Sequence, residues 1–245
     1  MNIAVCINHV PDTASRIDVQ GGCIDRSRLN MVLNPYDEYA LEEAARLREA
    51  DERVRVTVFS AGEESRVAVM RKALAFGADA AVLARGPEPS HSRQAAVMLV
   101  RAMEEHYGEE KPDLVVCGRE SVGMNRGEVP YFLASLLGVG IAGRVVSLDI
   151  SGRDLRLLRE ADGGTEALKG SFPLVVTAEK GLNHPRKTGI KAVMKAKKMP
   201  VGMIDVQAGD VDGVRVTSLQ PIDRTRSCRM VDKPEQLVPV LIGEW

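Results

Sequence analysis

Aromatic side chains are scarce in this sequence, with four Phe, four Tyr and one Trp making up 4% of 245 residues. Neither sign of charge is in excess: 33 Lys and Arg stand against 34 Asp and Glu, so no global field draws the chain to nucleic acid or an anionic membrane. The four cysteines, Cys6, Cys23, Cys117 and Cys228, form no CxxC pair and no metal-like spacing. Cys6 and Cys117 fall inside apolar runs and read as small core residues in a reducing compartment. No apolar run approaches a membrane span, and MNIAVCI is strand-like, without the basic head and longer apolar core of a signal peptide. A cytoplasmic setting, or a mitochondrial matrix one, is expected, with no membrane insertion and no bound metal. No segment is low-complexity. The 44% hydrophobic content is enough for one large core, or a core with an appendage.

Strand and helix signals alternate along most of the chain. Ile3 to Ile7 is continuously apolar, as in a parallel strand covered on both faces. Ile17 to Ile24, with the Gly21–Gly22 pair, reads as a short hairpin excursion. NPYDEYALEEAARLRE opens a helix: Pro35 suits its first position, Asp37, Glu38, Glu42 and Glu43 favour its amino end, and Tyr39, Leu41, Ala44, Ala45 and Leu47 supply the buried side. Strand Val54–Phe59, helix Glu63–Phe76 and strand Ala80–Leu83 complete a β-α-β unit. Helix Gln94–Tyr107 then leads to the strand Leu114–Cys117. Four strands alternating with four helices predict an α/β fold, a doubly wound and mainly parallel sheet. Past Gly143, Val145–Leu148, Leu155–Arg159 and Glu166–Phe172 predict an added antiparallel piece, with a hairpin turn at Ala161–Gly164. Leu174–Ala178 is a further buried strand. Residues 1–200 are expected to form the nucleotide-binding domain. Residues 201–245, where helix signals are weak, are expected to form a C-terminal arm lying across another subunit, with a small terminal element at Glu235–Leu241.

The stretch LVVCGRESVGMNRGEVPYFLASLL carries the strongest functional signal. A strand, a loop punctuated by Gly123 and Gly127 and a helix from Val129 form the arrangement that collects anions, because loop amides turn inward and the helix start adds roughly half a positive charge. Ser121, Asn125 and Arg126 crowd donors into a loop with no packing need for them. The plain alternative is one more crossover of a parallel sheet, whose loops always carry glycine. His9 has no partner at a telling spacing and reads either as an acid–base group or as part of a solvated loop. Asn34 fits either a helix cap or a ligand contact. From Gly181 to Ile204 there is no acid, while His184, Arg186, Lys187, Lys191, Lys195, Lys197 and Lys198 gather there. This is either a solvated basic face or a docking surface for an acidic partner, with Ile190 an apolar residue among cations. No aromatics are interleaved, so nucleic acid is disfavoured.

Taken in order, VCINHVPDT, LNPYDEYALEEAARL, KALAFGADAAVL, the GRES loop with Asn125, READGGTE, and FPLVVTAEKGLNHPR to MKAKKMP resemble the small (beta) subunit of electron transfer flavoproteins over nearly all of residues 1–200. The resemblance implies an electron carrier without catalytic residues of its own. It forms a heterodimer with a large (alpha) subunit that holds most of an FAD, and a flavin-dependent dehydrogenase reduces that flavin. The small subunit of the usual type binds AMP structurally. AMP contacts would fall on Cys6, Asn34, Ala61, Asn125, Arg126 and Gly127, with Thr13 nearest the flavin. The docking segment would comprise Arg186, Lys187, Thr188, Gly189, Ile190, Lys191, Met194 and Lys195, with Ile190 as its apolar anchor and Glu160 as a carboxylate ordering the docked partner. The sequence departs from the pattern at Gly123, where many relatives have aspartate, at Asn8 for a frequent lysine, and at Ile190 for leucine. Electron-bifurcating relatives bind a second FAD in place of AMP, but their loop usually reads like DGDTAQVGP, whereas this one reads MNRGEVP, and the basic MKAKKMP end is similar to the AMP type. Outside the family, the rivals are an ATP-using adenylating enzyme, which wants a glycine-serine phosphate signature and magnesium-binding acids, and a stand-alone AMP-sensing module, which needs no basic loop.

Overall fold

The computed structural model describes residues 1–207, 209, 211, 213–214, 216–221 and 230–242. Two compact units are present: Met1–Arg16 with Arg26–Val216, and Ile17–Asp25 with Thr217–Trp245. Cys228 lies outside the described residues, as does much of the expected arm.

The chain opens with β1 (Asn2–Cys6), followed by the short strands β2 (His9–Pro11), β3 (Val19–Gln20), β4 (Cys23–Ile24) and β5 (Met31–Leu33). Then come α1 (Pro35–Ala50), β6 (Arg55–Gly62), a 3-10 turn at Glu64–Arg66, α2 (Val67–Leu74), β7 (Ala80–Arg85), α3 (Ser92–Tyr107), β8 (Leu114–Gly118) and α4 (Val129–Leu137). The antiparallel piece is β9 (Gly140–Ser151), β10 (Asp154–Ala161) and β11 (Gly164–Ser171), after which β12 (Leu174–Ala178) returns to the sheet. The large unit ends with α5 (Ile190–Lys198) and β13 (Gly202–Asp205).

One nine-stranded sheet runs β11-β10-β9-β12-β8-β1-β6-β7-β13. Neighbours from β9 to β13 are parallel, and β9-β10 and β10-β11 are antiparallel. The α/β, doubly wound expectation with an added hairpin therefore holds. Alternation along β1 explains the two layers: Ile3, Val5 and Ile7 face Leu41 and Ala44 of α1 and Met70 and Leu74 of α2, while Ala4 and Cys6 face Met98 and Met103 of α3 and Leu133 of α4. Burying a Leu or Met of this kind contributes about 1.5–3 kcal/mol, so both helix layers are anchored by such side chains.

Two expectations need correction. His9–Pro11 is not a loop but a strand paired with Met31–Leu33, a two-stranded flap that non-alternating sequence on either side conceals. The boundary expected at residue 200 is crossed by β13, which pairs with Val82–Arg85, and Val206 beyond it is buried in the α3 layer. Gly202–Asp205 lacks the alternation of a recognisable strand because it sits at an edge and is mostly exposed.

In the second unit, β3 and β4 form the expected hairpin, with Gly21 and Gly22 at φ +58° and +78°, a conformation costly for other residues. Leu219 N–H donates to the Gly22 carbonyl at 2.9 Å. A 3-10 turn at Pro234–Leu237 and α6 (Val238–Leu241) form the expected terminal element. Met230, Leu237, Val238, Leu241 and Ile242 are exposed. Among the described residues, no helix is long and apolar enough to cross a membrane, and no cluster of side chains is arranged to hold a metal ion.

Candidate functional site

The sheet reverses direction at β1. From it the chain moves through α1 to β6 and β7 on one side, and α3 then carries it back to β8 on the other. The crevice beyond the carboxyl ends of β1 and β8 is thus the switch point where open α/β sheets take ligands.

Asp37 assembles that crevice. It is the third residue of α1, 4% exposed, and its carboxylate accepts from Asn8 N–H (2.6 Å), Gly118 N–H (3.2 Å) and Asn34 Nδ2 (2.9 Å). These bonds join the ends of β1 and β8 to the start of α1, where the helix dipole favours an anion. Burial pushes the carboxyl up to about 7, against the downward pull of the three N–H donors. Gly118 is required by this approach, since a Cβ there would run into the Asp37 carboxylate and lie 2.7 Å from the Tyr36 carbonyl carbon.

Asn34 is 1% exposed and caps no helix amide. Its Nδ2 also donates to the Glu120 carbonyl (2.8 Å) and its Oδ1 accepts from Val122 N–H (3.2 Å). Its side chain thus joins Asp37 to the 119–128 loop and bonds to no helix amide, which corrects the cap reading. Asn8 Nδ2 donates to Ser121 Oγ (2.9 Å), and Ser121 and Arg126 form a β-bridge closed by Ser121 N–H to the Arg126 carbonyl (2.9 Å). Gly123, Met124 and Asn125 stand exposed at the tip, with Asn125 at φ +49°. A Cβ on Gly127 would lie 2.7 Å from the Arg119 carbonyl oxygen, so this position too is kept bare by close backbone approach. Arg126 is half-buried and pairs with no carboxylate among the described residues. Glu128, at the head of α4, provides no side-chain cap to that helix.

Cys6 and Ala61 are buried at the ends of β1 and β6. Cys6 lies in register with Cys117, whose thiol is held well above its usual range by a hydrogen bond with Cys6 and by burial. Both side chains are buried. Thr13 is exposed at a turn built by Asp12, whose carboxylate accepts from Ala14 N–H at 3.0 Å. The turn follows β2, whose Val10 and Pro11 lie against Gly123, so the loop bearing Thr13 and the 119–128 loop are neighbours.

Sequence reasoning missed Arg66 and Glu88. Arg66 is 4% exposed, donates to Asn8 Oδ1 (2.9 Å) and Ser60 Oγ (3.3 Å), and pairs through Nε and Nη2 with Glu88. His9, beside this cation, is held below the usual imidazole range by burial and by Arg66. No spacing rule links residues 8, 60, 66 and 88; only the fold brings them together.

The basic segment is built differently. Asn183 Nδ2 donates to Glu43 Oε2 and to the Tyr39 carbonyl, both at 2.9 Å. Arg186 is clamped by two carboxylates of α1: Nε and Nη2 reach Glu42 (2.7 and 3.0 Å), Nη2 reaches Glu49 (3.1 Å), and Nη1 also pairs with Glu49. Its own N–H donates to Glu42 Oε2 (3.1 Å). Beyond the clamp Lys187 and Gly189 are exposed, Thr188 is half-buried, and α5 begins at Ile190, which is 85% exposed. Val193 and Met194, one turn on, are exposed too, flanked by Lys191 and Lys195, neither of which is in an ion pair among the described residues. Glu160 lies elsewhere, paired with Arg144 Nη2 (3.1 Å); Arg144 sits at φ +60° and, with Arg119, brackets the buried Glu179.

Residues 21–208 match the model of the electron transfer flavoprotein domain. A protein of Syntrophomonas wolfei named electron transfer flavoprotein subunit beta is 29% identical over 245 residues, covering 100% of this chain and 95% of its own length. Its namesake in Bacillus subtilis is 32% identical over 212 residues, 86% of this chain and 82% of the relative. Protein FixA of Azorhizobium caulinodans is 29% identical across 96% of this chain and 90% of its own. The matched region contains α1, β8, the 119–128 loop and the clamped basic segment alike, and the chain belongs to the electron transfer flavoprotein family, among its beta subunits.

Proposed function

We propose that this chain is the small subunit of a heterodimeric electron carrier. In this reading it binds AMP at the switch point and docks a flavin-dependent dehydrogenase through α5. The FAD, held mainly by the large subunit, supplies the chemistry when bound: it accepts electrons from the dehydrogenase and passes them on. The observation that carries the reading is Ile190, an 85% exposed aliphatic side chain at the head of a helix otherwise decorated with lysines. Such a residue has no role in its own core. Burying it against a partner would contribute about 1.5–3 kcal/mol, while the lysines speed encounter and leave release fast.

The 119–128 loop fits an adenylate phosphate. Arg126 has no carboxylate partner among the described residues, Gly127 leaves no side chain over the backbone, and no side chain caps the start of α4. Cys6 and Ala61 would wall the nucleotide, Asn125, Arg126 and Gly127 would hold its phosphate, and Asn34 would shape the loop from behind. Thr13, on the neighbouring turn, would face the flavin, and Glu160 would meet the docked partner. The exposed apolar residues of 230–242 support the arm as a surface for the large subunit.

Denaturing the purified heterodimer and identifying the released nucleotides tests the site: one FAD with AMP supports the proposal, whereas two FAD would favour the bifurcating type. Asn125→Ala with Arg126→Ala should lower the AMP retained to under half, and full retention would defeat the phosphate assignment. Ile190→Ala should raise the KM for reduction by the dehydrogenase about tenfold, the lower end of what that burial contributes, with flavin content unchanged. An unaltered KM would refute docking through α5.

A further inference from the structure

We infer that Arg186 is a positioning residue for α5 and not one of the cations that meet the partner. The inference rests on the docking role of α5 proposed above and concerns how that helix is held.

Arg186 belongs to an acid-free basic segment and, from sequence, counts among its docking charges. Its geometry says otherwise. The guanidinium directs Nε and both terminal nitrogens at Glu42 and Glu49, about two helical turns apart on α1, and its backbone N–H is tied to Glu42 as well. Glu42 is buried, and hydrogen bonding to Arg186 pulls the Glu49 carboxyl below its usual range. The positive charge is thus matched twice within the chain before any partner arrives. Asn183, three residues earlier, grips α1 again through Glu43 and the Tyr39 carbonyl. Four residues after the clamp comes Ile190. A helix of nine residues is too short to hold its own direction in water; Ala196 packs its far end into the core, and the bolt before its amino end sets where the apolar residues there point. Only an arginine spans two carboxylates in this way, because its planar fork presents several donors at fixed angles.

The assignment separates the segment into an anchor, Asn183 and Arg186, and a contact face, Lys187, Ile190, Lys191, Val193, Met194 and Lys195. Removing the anchor loosens the amino end of α5, while Ala196 still packs in the core, without touching the face, so that docking must order that end each time.

The test uses the purified heterodimer and the flavin-dependent dehydrogenase that reduces it fastest. Glu49→Gln and Glu42→Gln/Glu49→Gln should accelerate tryptic cleavage within 187–198 and raise the KM for reduction about tenfold, the cost of ordering two or three side chains, with kcat and bound nucleotide unchanged. Arg186→Lys should recover only part of either quantity. Arg186→Met should leave the ionic-strength dependence of KM as it was, whereas Lys191→Gln should flatten it. Glu49 is exposed, so its substitution leaves the fold intact even if the double variant does not fold. Unchanged cleavage and KM in Glu49→Gln and in the foldable carboxylate variants would overturn the inference, as would a flattened salt dependence in Arg186→Met. Ile190→Ala is the separate control on docking itself: it should raise KM without accelerating cleavage, and its failure to do so would strike the docking role while the cleavage rates still score the clamp.

Discussion

Asp37→Asn is expected to lower the unfolding free energy by about 3 kcal/mol in a urea titration, because a buried network loses acceptors and gains a misplaced donor. The carboxylate accepts from Asn8 N–H, Gly118 N–H and Asn34 Nδ2, with no water needed to complete it. An amide of the same size presents one oxygen, and its NH2 group must then face one of these donors. Two loops lose their tether to α1, so nucleotide retention should fall together with stability. The variant also carries a pH signature. The folded carboxyl stands at about 7 and its ordinary value is 3.8, so the folded chain holds a proton that the unfolded chain releases between those values. Stability from this group is fully present below about pH 4, declines as pH rises and is gone above about 7, an amount up to about 4 kcal/mol for a shift of that size. His9 and His106, held below the usual imidazole range by burial, act in the opposite sense, losing stability as pH falls. The discriminating quantity is therefore the difference between the natural chain and Asp37→Asn at each pH, which should grow from pH 8 to pH 5. A difference that is flat with pH would mean that Asp37 stays ionised throughout.

The acids of α1 mark the limit of what periodicity reveals. Asp37, Glu42 and Glu43 read as dipole partners, an explanation that suffices only for Asp37, because the other two lie mid-helix and the helix field falls off within the first turn. In the structure all three are buried, and each anchors a different part of the chain: the switch point, Arg186 and Asn183. The sheet was legible because fully buried strands such as Leu114–Gly118 and Leu174–Ala178 must be apolar along their whole length, and because turns need glycine. Ile190 was legible because an aliphatic residue among lysines has nothing local to pack on. What sequence conceals are contacts between residues far apart: Asn34 with Glu120, Asp37 with Gly118, Arg186 with Glu42 and Glu49. A polar side chain that bonds across a hundred positions looks the same in sequence as one that bonds to water. The edge strand Gly202–Asp205 was missed for a related reason, since its pairing with β7 buries too little to enforce alternation.

Arg66→Met is expected to cost about 3 kcal/mol, the lower end of the penalty for breaking a buried ion pair, since Glu88 keeps part of its surface in water. The guanidinium satisfies Glu88 on one side and Asn8 Oδ1 and Ser60 Oγ on the other, so its loss leaves a partly desolvated carboxylate, an Asn8 Oδ1 held by His9 N–H alone and a Ser60 Oγ that only donates. Replacing both partners, Arg66→Met/Glu88→Gln, should return about half of the loss, because no charge is then stranded. If the double variant is as unstable as the single one, the pair itself contributes nothing and the cost lies in the bonds to Asn8 and Ser60. A second readout is local. Arg66 is among the causes that hold His9 down, so the single variant should raise the His9 pKa, measurable by NMR titration of its ring protons. The consequence for the site is that Arg66, despite standing beside β1 and β6, is already neutralised from within. In the proposed reading a bound phosphate then looks to Arg126, and removing Arg66 should weaken nucleotide retention only through the disordering of Asn8 and, beyond it, Ser121. Retention in Arg66→Met should therefore keep the salt dependence of the natural chain, whereas Arg126→Ala should flatten it.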